Sequence, residues 1–419
     1  MKILTAIVIP PHLSASGAAN AAKHLSTALA DYCDVDIAIL ALEQTTSSLG
    51  KAQLLARKSS NILSFTKGFL PNKFRTLFYR ADIPSLIENG NYDLVHLHNI
   101  LPALEAKRVA RACVKKKIPY VVSTHGFFEL TSGGKAYALK HLHEKLAWKF
   151  LLEKPLNYII KHARQIFALS PLEYPMLNAL EVEDERIRIV TNGVSQDFYS
   201  KSSPKQIQSI ADRLNLQQLS EKDAPVGIFL GNHTTNKGIN VLLTAFSQIT
   251  QPFTLIVCGQ KRDGIDYERS QEQCGDRQRI IFTDWIPYED ITALFHYADL
   301  FVYPTLSDTL PLVILEAMAA GLPIISTTIG GIPYQVNESC GILVEPGNPQ
   351  AIKQAFQSMT RDKQKLGQMG RNANQIVKTK FCWDRSAREA FTFYREILNI
   401  YPKQAANDER TDLNSLQTT

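Results

Sequence analysis

The stretch "YPTLSDTLPLVILEAMAAGLPIIST", residues 303–327, has the pattern of a strand end, a loop, a helix and a second strand. The apolar run "LFVYP" is typical of a buried strand that Pro304 ends, and "PIIST" is typical of the next strand. Between them, "LPLVILEAMAA" predicts a helix with Pro311 in its permissive first turn and with Gly321 and Pro323 as its stop. This β-α-β unit predicts a parallel sheet covered by helices, with a polar loop at the carboxyl end of a strand.

Two acids in this stretch indicate a bound polar group. Asp308 precedes the helix and Glu316 follows eight residues later, a little over two turns, so the two side chains can share a face. A helix N-terminus favours an anion such as phosphate, whereas carboxylates accept hydrogen bonds from hydroxyl groups. A diphosphate that carries a sugar on one side and a ribose on the other would suit both acids. The alternative is that Asp308 only caps the helix and Glu316 only faces solvent.

The same alternation of short apolar runs and helical segments extends through both halves of the chain. It predicts two doubly wound Rossmann-like α/β domains, because 419 residues exceed what a single core usually supports. We place the N-terminal domain at 1–199, a polar strand-free linker at 200–225, and the C-terminal domain with a terminal helix at 226–400. The last segment, 401–419, lacks apolar periodicity and is expected to be disordered.

The composition limits the possible classes of protein but does not identify a substrate. The net charge of +6 suits an enzyme of anionic substrates, a membrane-surface protein or a nucleic-acid binder. The opening "MKILTAIVIPPHLSASGA" is better explained as a first buried strand than as a secretion signal, and no apolar run reaches the roughly 18 residues that span a bilayer. Six scattered cysteines without a Cys-x-x-Cys pair argue against a zinc ribbon or redox motif and indicate a reducing cytoplasm.

Three further motifs end predicted strands. "GNHTTNKG" places Lys237 where it could meet a diphosphate, although it is not a Walker loop. "PHLSASGAAN" places Gly17 before a helix, where a ligand could approach the backbone, but the pattern of a nicotinamide site is missing. "STHGFF" places His125 where it could hydrogen-bond a sugar hydroxyl. A lysine at a loop edge, a small-residue turn and a structural histidine are the respective alternatives.

Two pairs of potential metal ligands occur on strands. His96 and His98 alternate in "HLHN", as Asp34 and Asp36 do in "DVD", so each pair points to one face of its strand. No third ligand stands at a useful spacing, and the sequence therefore favours no metal site.

Two basic segments with interleaved aromatic residues, "KGFLPNKFRTLFYR" (67–80) and residues 135–164, could rest on anionic lipid headgroups or accept a lipid-linked substrate. An amphipathic helix that faces the core and carries solvated lysines is the alternative for most of the second segment.

Taken together, these motifs resemble the retaining glycosyltransferase family 4, and the resemblance covers nearly the whole chain. Its signature is a pair of acids separated by seven residues and followed by "EAMAAGLP", which stands here as "DTLPLVILEAMAAGLP". Other motifs fall in the family's order, namely "NGV" (192–194), "GNHTTNKG" (231–238), "WIP" (285–287), "GGIP" (330–333) and "GILVEPGNP" (341–349). The resemblance implies the GT-B fold, two Rossmann-like domains that face a cleft.

The resemblance also implies roles for individual residues. Glu316 would hold the ribose hydroxyls, Asp308 and His125 would contact the transferred sugar, and Lys237 would neutralise the diphosphate. Backbone N–H groups would help at the diphosphate, and backbone near Ile286 would recognise the base. The implied catalytic residues are thus Asp308, His125 and Lys237, and the implied donor-binding residues are Gly17, Asn232, Ile286, Thr309, Leu310 and Glu316.

Three positions depart from the family pattern. Asp308 stands where glutamate is more common, Asn232 where an arginine usually accompanies Lys237, and Tyr334 where a glutamate often follows "GGIP". The shorter Asp308 keeps the chemistry, but the change at Asn232 removes one positive charge from the diphosphate site.

The resemblance implies an enzyme that moves a hexose-type sugar from a nucleotide-diphosphate sugar to a saccharide or lipid-linked saccharide, with retention and without metal or other cofactor. We expect a role in cell-surface polysaccharide or lipopolysaccharide biosynthesis, a cytoplasmic location with peripheral contact at the inner face of the cytoplasmic membrane, and no nucleic-acid partner. The alternatives are a catalytically silent relative that binds a nucleotide sugar or a partner, a nucleotide-sugar epimerase and a dehydrogenase.

Overall fold

The computed structural model describes residues 1–62, 76–126, 142–216, 224–262 and 264–399, with the backbone alone at 142–144. The expected disordered tail, 401–419, lies outside the described residues. So do 67–75 and 135–141 of the two basic aromatic segments and 217–223 of the linker.

The strands of the N-terminal half are β1 (Lys2–Ile7), β2 (Asp34–Ala41), β3 (Thr45–Leu49), β4 (Ala52–Lys58), β5 (Ser60–Asn61), β6 (Tyr79–Arg80), β7 (Leu94–His98), β8 (Tyr120–Ser123), β9 (Gln165–Ala168) and β10 (Ile187–Ile189). Eight of them form one sheet in the order β10-β9-β8-β7-β1-β2-β4-β3, and β5 pairs with β6 separately. Within the large sheet every pairing is parallel except that of β3 with β4.

The N-terminal helices are α1 (Gly17–Leu29), α2 (Ile83–Asn89), α3 (Ala103–Lys116), α4 (Leu142–Trp148), α5 (Lys154–His162) and α6 (Tyr174–Ala179), with a π-helical turn, Lys149–Glu153, between α4 and α5. They cover both faces of the sheet, because side chains alternate along each strand. In β1, Ile3 and Ile7 join the apolar core beneath α1, whereas Leu4 and Ala6 join the core beneath α2, α3 and α5.

The C-terminal strands are β11 (Val226–Leu230), β12 (Phe253–Cys258), β13 (Gln278–Thr283), β14 (Leu300–Tyr303), β15 (Ile324–Thr327) and β16 (Gly341–Val344). They form a wholly parallel sheet in the order β13-β12-β11-β14-β15-β16. The strand order reverses between β11 and β14, and open α/β sheets bind ligands outside the carboxyl ends of strands at such a switch point.

The remaining helices are α7 (Pro204–Arg213), α8 (Ile239–Phe246), α9 (Tyr267–Glu272), α10 (Tyr288–Tyr297), α11 (Leu312–Ala319), α12 (Ile332–Gln335), α13 (Pro349–Thr360), α14 (Lys363–Lys380) and α15 (Trp383–Ile397). Helix α7 lies within the predicted linker, begins at a Ser203 capping box, and buries Ile210 and Ala211 in the C-terminal core. About half of the linker that the structure describes is thus helical, and it packs on the C-terminal core through few side chains.

The terminal helix α15 returns to the N-terminal sheet. Its buried residues Ala387, Ala390 and Tyr394 join the core beneath α1, and Tyr32 Oη donates to Asp384 Oδ1 at 2.6 Å. Sequence order predicts this helix as part of the C-terminal domain, 226–400, because it follows that domain along the chain. Its packing instead places it on the N-terminal domain, where its apolar face finds a partner.

The predicted fold class is confirmed, since two doubly wound, Rossmann-like α/β units are present. None of the described helices is both long and apolar enough to cross a membrane.

Candidate active site

A cavity of about 810 Å³ lies where loops from both sheets meet. It brings together six of the residues predicted to form the site, namely Gly17, His125, Lys237, Asp308, Thr309 and Leu310. The loops come from the carboxyl ends of β8, β11 and β14 and from the start of α1. Residues far apart in sequence therefore meet in one place suited to a ligand.

Lys237 and Asp308 form an ion pair at this cavity. Lys237 Nζ lies 2.6 Å from Asp308 Oδ1, and the two side chains are 24% and 16% exposed. Asp308 Oδ2 accepts hydrogen bonds from Thr305 Oγ1 at 2.7 Å and from Tyr303 Oη at 3.0 Å. Both oxygens of Asp308 are thus engaged, and the carboxylate holds the lysine at the cavity. Contact of Asp308 with a sugar stays a prediction.

Gly238 allows the Lys237 loop to approach the Asp308 loop. It has a φ of 74°, which glycine adopts without steric cost, and a Cβ there would overlap the carbonyl oxygen of Pro304. The backbone of Leu306 in turn donates to the carbonyl of Asn236 at 2.8 Å. The two loops at the switch point are therefore in direct backbone contact.

The backbone ahead of α11 offers donors for an anion. Helix α11 begins at Leu312 after the cap residue Pro311, so Asp308 is not the cap. The N–H groups of Thr309 and Leu310 have no hydrogen-bond partner among the described residues, and both residues line the cavity. Free N–H groups at a helix N-terminus are a phosphate-binding arrangement.

Glu316 is a half-buried residue on α11, and its carboxylate accepts no hydrogen bond from any described side chain or backbone group. Burial raises its pKa to about 7. It lies near Tyr288, whose pKa is raised to about 12, first by burial and then by the charge of Glu316. A half-buried carboxylate without a partner is costly, and two hydroxyl donors would relieve that cost. Glu316 does not line the 810 Å³ cavity.

His125 lines the cavity from the N-terminal domain. Its backbone has a φ of 44°, unusual for a residue with a side chain, and its carbonyl accepts from Thr309 Oγ1 at 3.3 Å across the cleft. Its ring Nε2 lies 3.1 Å from His98 Nδ1. Burial lowers the pKa of His125 to about 4, so the imidazole is neutral at physiological pH.

Of the other proposed donor-binding positions, Gly17 lines the cavity, whereas Asn232 and Ile286 do not. Gly17 is the first residue of α1, and a Cβ there would meet no described atom within 4 Å, so the space beside it is open. Asn232 is exposed after β11, and Ile286 is buried before α10. Tyr334 packs its ring against Phe381 at 5.7 Å. The roles of Asn232 and Ile286 stay predictions.

Among the cavity residues that were not assigned from the sequence, Asn192 and Glu173 tie neighbouring loops together. Asn192, from the quoted motif "NGV", donates from Nδ2 to the carbonyl of Leu310 at 2.9 Å and thereby ties the N-terminal half to the α11 loop. Glu173 accepts from Thr124 Oγ1 at 2.6 Å and from the backbone of Leu169 at 2.7 Å, next to the His125 loop. The spacing "SPLE" predicts a capping box there, the one sequence signal for Glu173.

The histidine pair that raised the question of a metal is engaged in hydrogen bonds. His96 and His98 contact each other at 3.1 Å, and each also bonds a further side chain. Within the described ranges, no group of three or more His, Cys, Asp or Glu side chains has the geometry of a metal site.

Comparison with known proteins gives consistent matches along the chain. Residues 212–376 match the family "Glycosyl transferases group 1", and residues 15–198 match "Glycosyltransferase Family 4". The putative glycosyltransferase YtcC of Bacillus subtilis is 31% identical over 339 residues, which are 78% of this chain and 78% of that protein.

Solved structures share the fold. Sucrose-phosphate synthase from Thermosynechococcus elongatus superposes with a TM-score of 0.72 at 19% identity, covering 96% of this chain and 100% of that one. Alr3699/HepE of Anabaena, in complex with UDP-glucose, superposes with a TM-score of 0.68 at 19% identity, covering 94% of this chain and 100% of that one.

Proposed function

This chain belongs to the group 1 glycosyltransferases, and we propose that it transfers a hexose-type sugar from a nucleotide-diphosphate sugar to a saccharide or lipid-linked saccharide, with retention of configuration. The product would enter cell-surface polysaccharide or lipopolysaccharide. UDP-sugars are the first donors to test, because Alr3699/HepE has been solved with UDP-glucose.

The observation that carries the proposal is that, among the described residues, the carboxylate of Glu316 and the N–H groups of Thr309 and Leu310 have no hydrogen-bond partner. Glu316 lies on helix α11, and the two N–H groups lie in the loop at its N-terminus. One ligand with a ribose at one end and a diphosphate next to it would satisfy both features. Lys237 would add a positive charge at the diphosphate.

The transfer needs no protein nucleophile. The acceptor hydroxyl oxygen bonds the anomeric carbon on the face from which the diphosphate oxygen departs, and the hydroxyl proton moves to that departing oxygen. Lys237 and the helix N-terminus stabilise the negative charge that develops on the diphosphate. We propose that this chemistry proceeds without a metal ion, since a lysine and backbone donors supply the stabilisation.

The acceptor would approach from the N-terminal domain. Leu146 and Phe150 are 46% and 55% exposed beside Lys149 and Lys154, and Lys154 Nζ lies 4.2 Å from the centre of the Phe150 ring. Exposed apolar side chains flanked by lysines suit the surface of an anionic membrane. We therefore propose peripheral contact with the cytoplasmic membrane face, where lipid-linked acceptors would be presented.

Donor binding by the purified chain tests the site. We expect saturable binding of one sugar among UDP-, GDP- and ADP-sugars, unchanged by EDTA, and about tenfold to hundredfold weaker binding in Glu316→Ala. Glu338→Ala, which removes an exposed carboxylate of the same domain, is the matched control and should bind as the wild type does. If all donors fail to bind, or if Glu316→Ala binds normally, the site is not where we place it.

A transfer assay distinguishes an enzyme from a catalytically silent relative. The silent relative is the second candidate, because Asn232 stands where the family usually has an arginine. Binding without hydrolysis or transfer to any saccharide or lipid-linked acceptor would support the silent relative. The anomeric configuration of a transferred sugar, read by NMR, tests retention.

A further inference from the structure

A chain of buried side chains runs from the terminal helix α15 to His125 at the cavity. Tyr394 Oη lies 2.6 Å from His96 Nδ1, and His98 Nε2 lies 3.1 Å from the same nitrogen. His98 Nδ1 then lies 3.1 Å from His125 Nε2, and His96 Nε2 lies 2.8 Å from Ser123 Oγ. His96, His98 and Tyr394 are all fully buried, so water does not compete for these bonds.

The proton positions follow from the Tyr394 end. Phenol is a far better donor than imidazole N–H and imidazole nitrogen a better acceptor than phenol oxygen, so Tyr394 donates to His96 Nδ1. Burial lowers the pKa of His96, and a neutral ring carries one proton. That proton is therefore on Nε2 of His96, from which it is donated to Ser123 Oγ.

The proton positions of His98 and His125 follow from that of His96. His96 Nδ1 accepts from Tyr394 and carries no proton, so in its 3.1 Å contact with His98 Nε2 the donor is His98, and this nitrogen is an acceptor shared by Tyr394 and His98. His98 therefore carries its proton on Nε2. The pKa of His98 is also lowered by burial, which leaves its Nδ1 unprotonated. That nitrogen therefore accepts a hydrogen bond from His125 Nε2–H. Nδ1 of His125 is then unprotonated, and it is the nitrogen with which this cavity-lining ring can accept a hydrogen bond.

We propose that His96, His98 and Tyr394 are positioning residues that hold His125 in the Nε2-protonated tautomer, so that its Nδ1 accepts a hydrogen bond from a hydroxyl of the transferred sugar. The terminal helix thereby completes the site of the domain to which it returns. This inference rests on the proposed function for its role in catalysis, although the tautomer itself does not.

The test is Tyr394→Phe in the full chain, which removes one hydroxyl and keeps the ring that stacks 6.0 Å from Phe167. Nitrogen-15 NMR of labelled histidines distinguishes protonated from unprotonated ring nitrogens, with the His125 signals assigned by their loss in His125→Gln. We expect Nε2-protonated His125 in the wild type and a mixture of tautomers in Tyr394→Phe. The kcat should fall about fivefold, with a smaller change in the donor KM.

Tyr32→Phe is the matched control, because Tyr32 follows α1 and contacts α15 through Asp384 but takes no part in the hydrogen bonds between Tyr394 and His125. It should leave the tautomer and kcat unchanged. His98→Leu should disturb both more strongly, and His98→Asn should restore part of the kcat. An unchanged His125 tautomer in both Tyr394→Phe and His98→Leu would overturn the inference. If the wild type transfers no sugar, the proposed function fails. The NMR result still decides whether His96, His98 and Tyr394 set the tautomer of His125.

Discussion

Donor affinity should depend on pH through Glu316, because burial raises the pKa of this carboxyl to about 7. The ionised carboxylate is the stronger acceptor and offers one oxygen to each ribose hydroxyl, whereas the protonated form has one oxygen occupied by its proton. We therefore expect the donor to bind the ionised form, so that the protonated fraction loses its proton on binding. A group with this pKa is about nine-tenths protonated near pH 6 and about nine-tenths ionised near pH 8. The dissociation constant of the donor should therefore fall about tenfold between those two values.

Isothermal titration calorimetry with a UDP-sugar measures this change directly. The donor phosphates are diesters that do not titrate in this range, and His125 stays neutral because burial lowers its pKa to about 4. In buffers of different ionisation enthalpy, binding near pH 7 should release about half a proton per donor. Glu316→Gln keeps the shape of the side chain and should bind more weakly, with an affinity that no longer depends on pH.

Two results would refute this reasoning. A wild-type affinity that is flat from about pH 6 to about pH 8, without proton release, would mean that Glu316 does not change ionisation when the donor binds. An equal pH dependence in Glu316→Gln would assign the titration to another group.

Three further outcomes follow from the same geometry. Lys237→Ala should lower kcat/KM about tenfold to hundredfold, because it removes a charge-assisted contact to the diphosphate. Lys205→Ala, on the exposed face of α7, should leave kcat/KM unchanged, and equal losses in steady-state assays would contradict the role assigned to Lys237. Gly238→Ala should lower the free energy of unfolding by about 2–4 kcal/mol, because the new side chain meets both a positive φ and overlap with Pro304. Gly264 shares the positive φ but has open space beside it, so Gly264→Ala should lower that free energy by only about 1 kcal/mol. Chemical denaturation compares the two variants, and similar losses would contradict the role of the contact with Pro304. Transfer activity should persist in EDTA, and its loss with recovery on adding a divalent cation would show that the reaction requires a metal.

Much of the fold could be predicted from local pattern. Short apolar runs alternate with amphipathic segments, and that periodicity depends only on which side chains each element buries. The position of Lys237 after β11 and of Asp308 after β14 follows from the same pattern, because loops at the carboxyl ends of parallel strands share one edge.

Other features needed distant partners. Helix α15 is predicted with its neighbours in the chain, since the pattern of an amphipathic helix reveals an apolar face but not which residues cover it. His96 and His98 were recognised as sharing one face of a strand, but their spacing alone could not distinguish a metal pair from a hydrogen-bonded chain. Tyr394, which decides that question, is 298 residues from His96.

The sequence by itself determined the two Rossmann-like units and the residue types at their strand ends, because backbone geometry converts local spacing into elements and faces. Only the tertiary structure decided that Asp308 holds Lys237, that no described group hydrogen-bonds the carboxylate of Glu316, and that the terminal helix reaches His125 through His96 and His98. The physical reason is that hydrogen bonds and ion pairs act over a few ångströms, so the path of the chain between domains determines which groups meet.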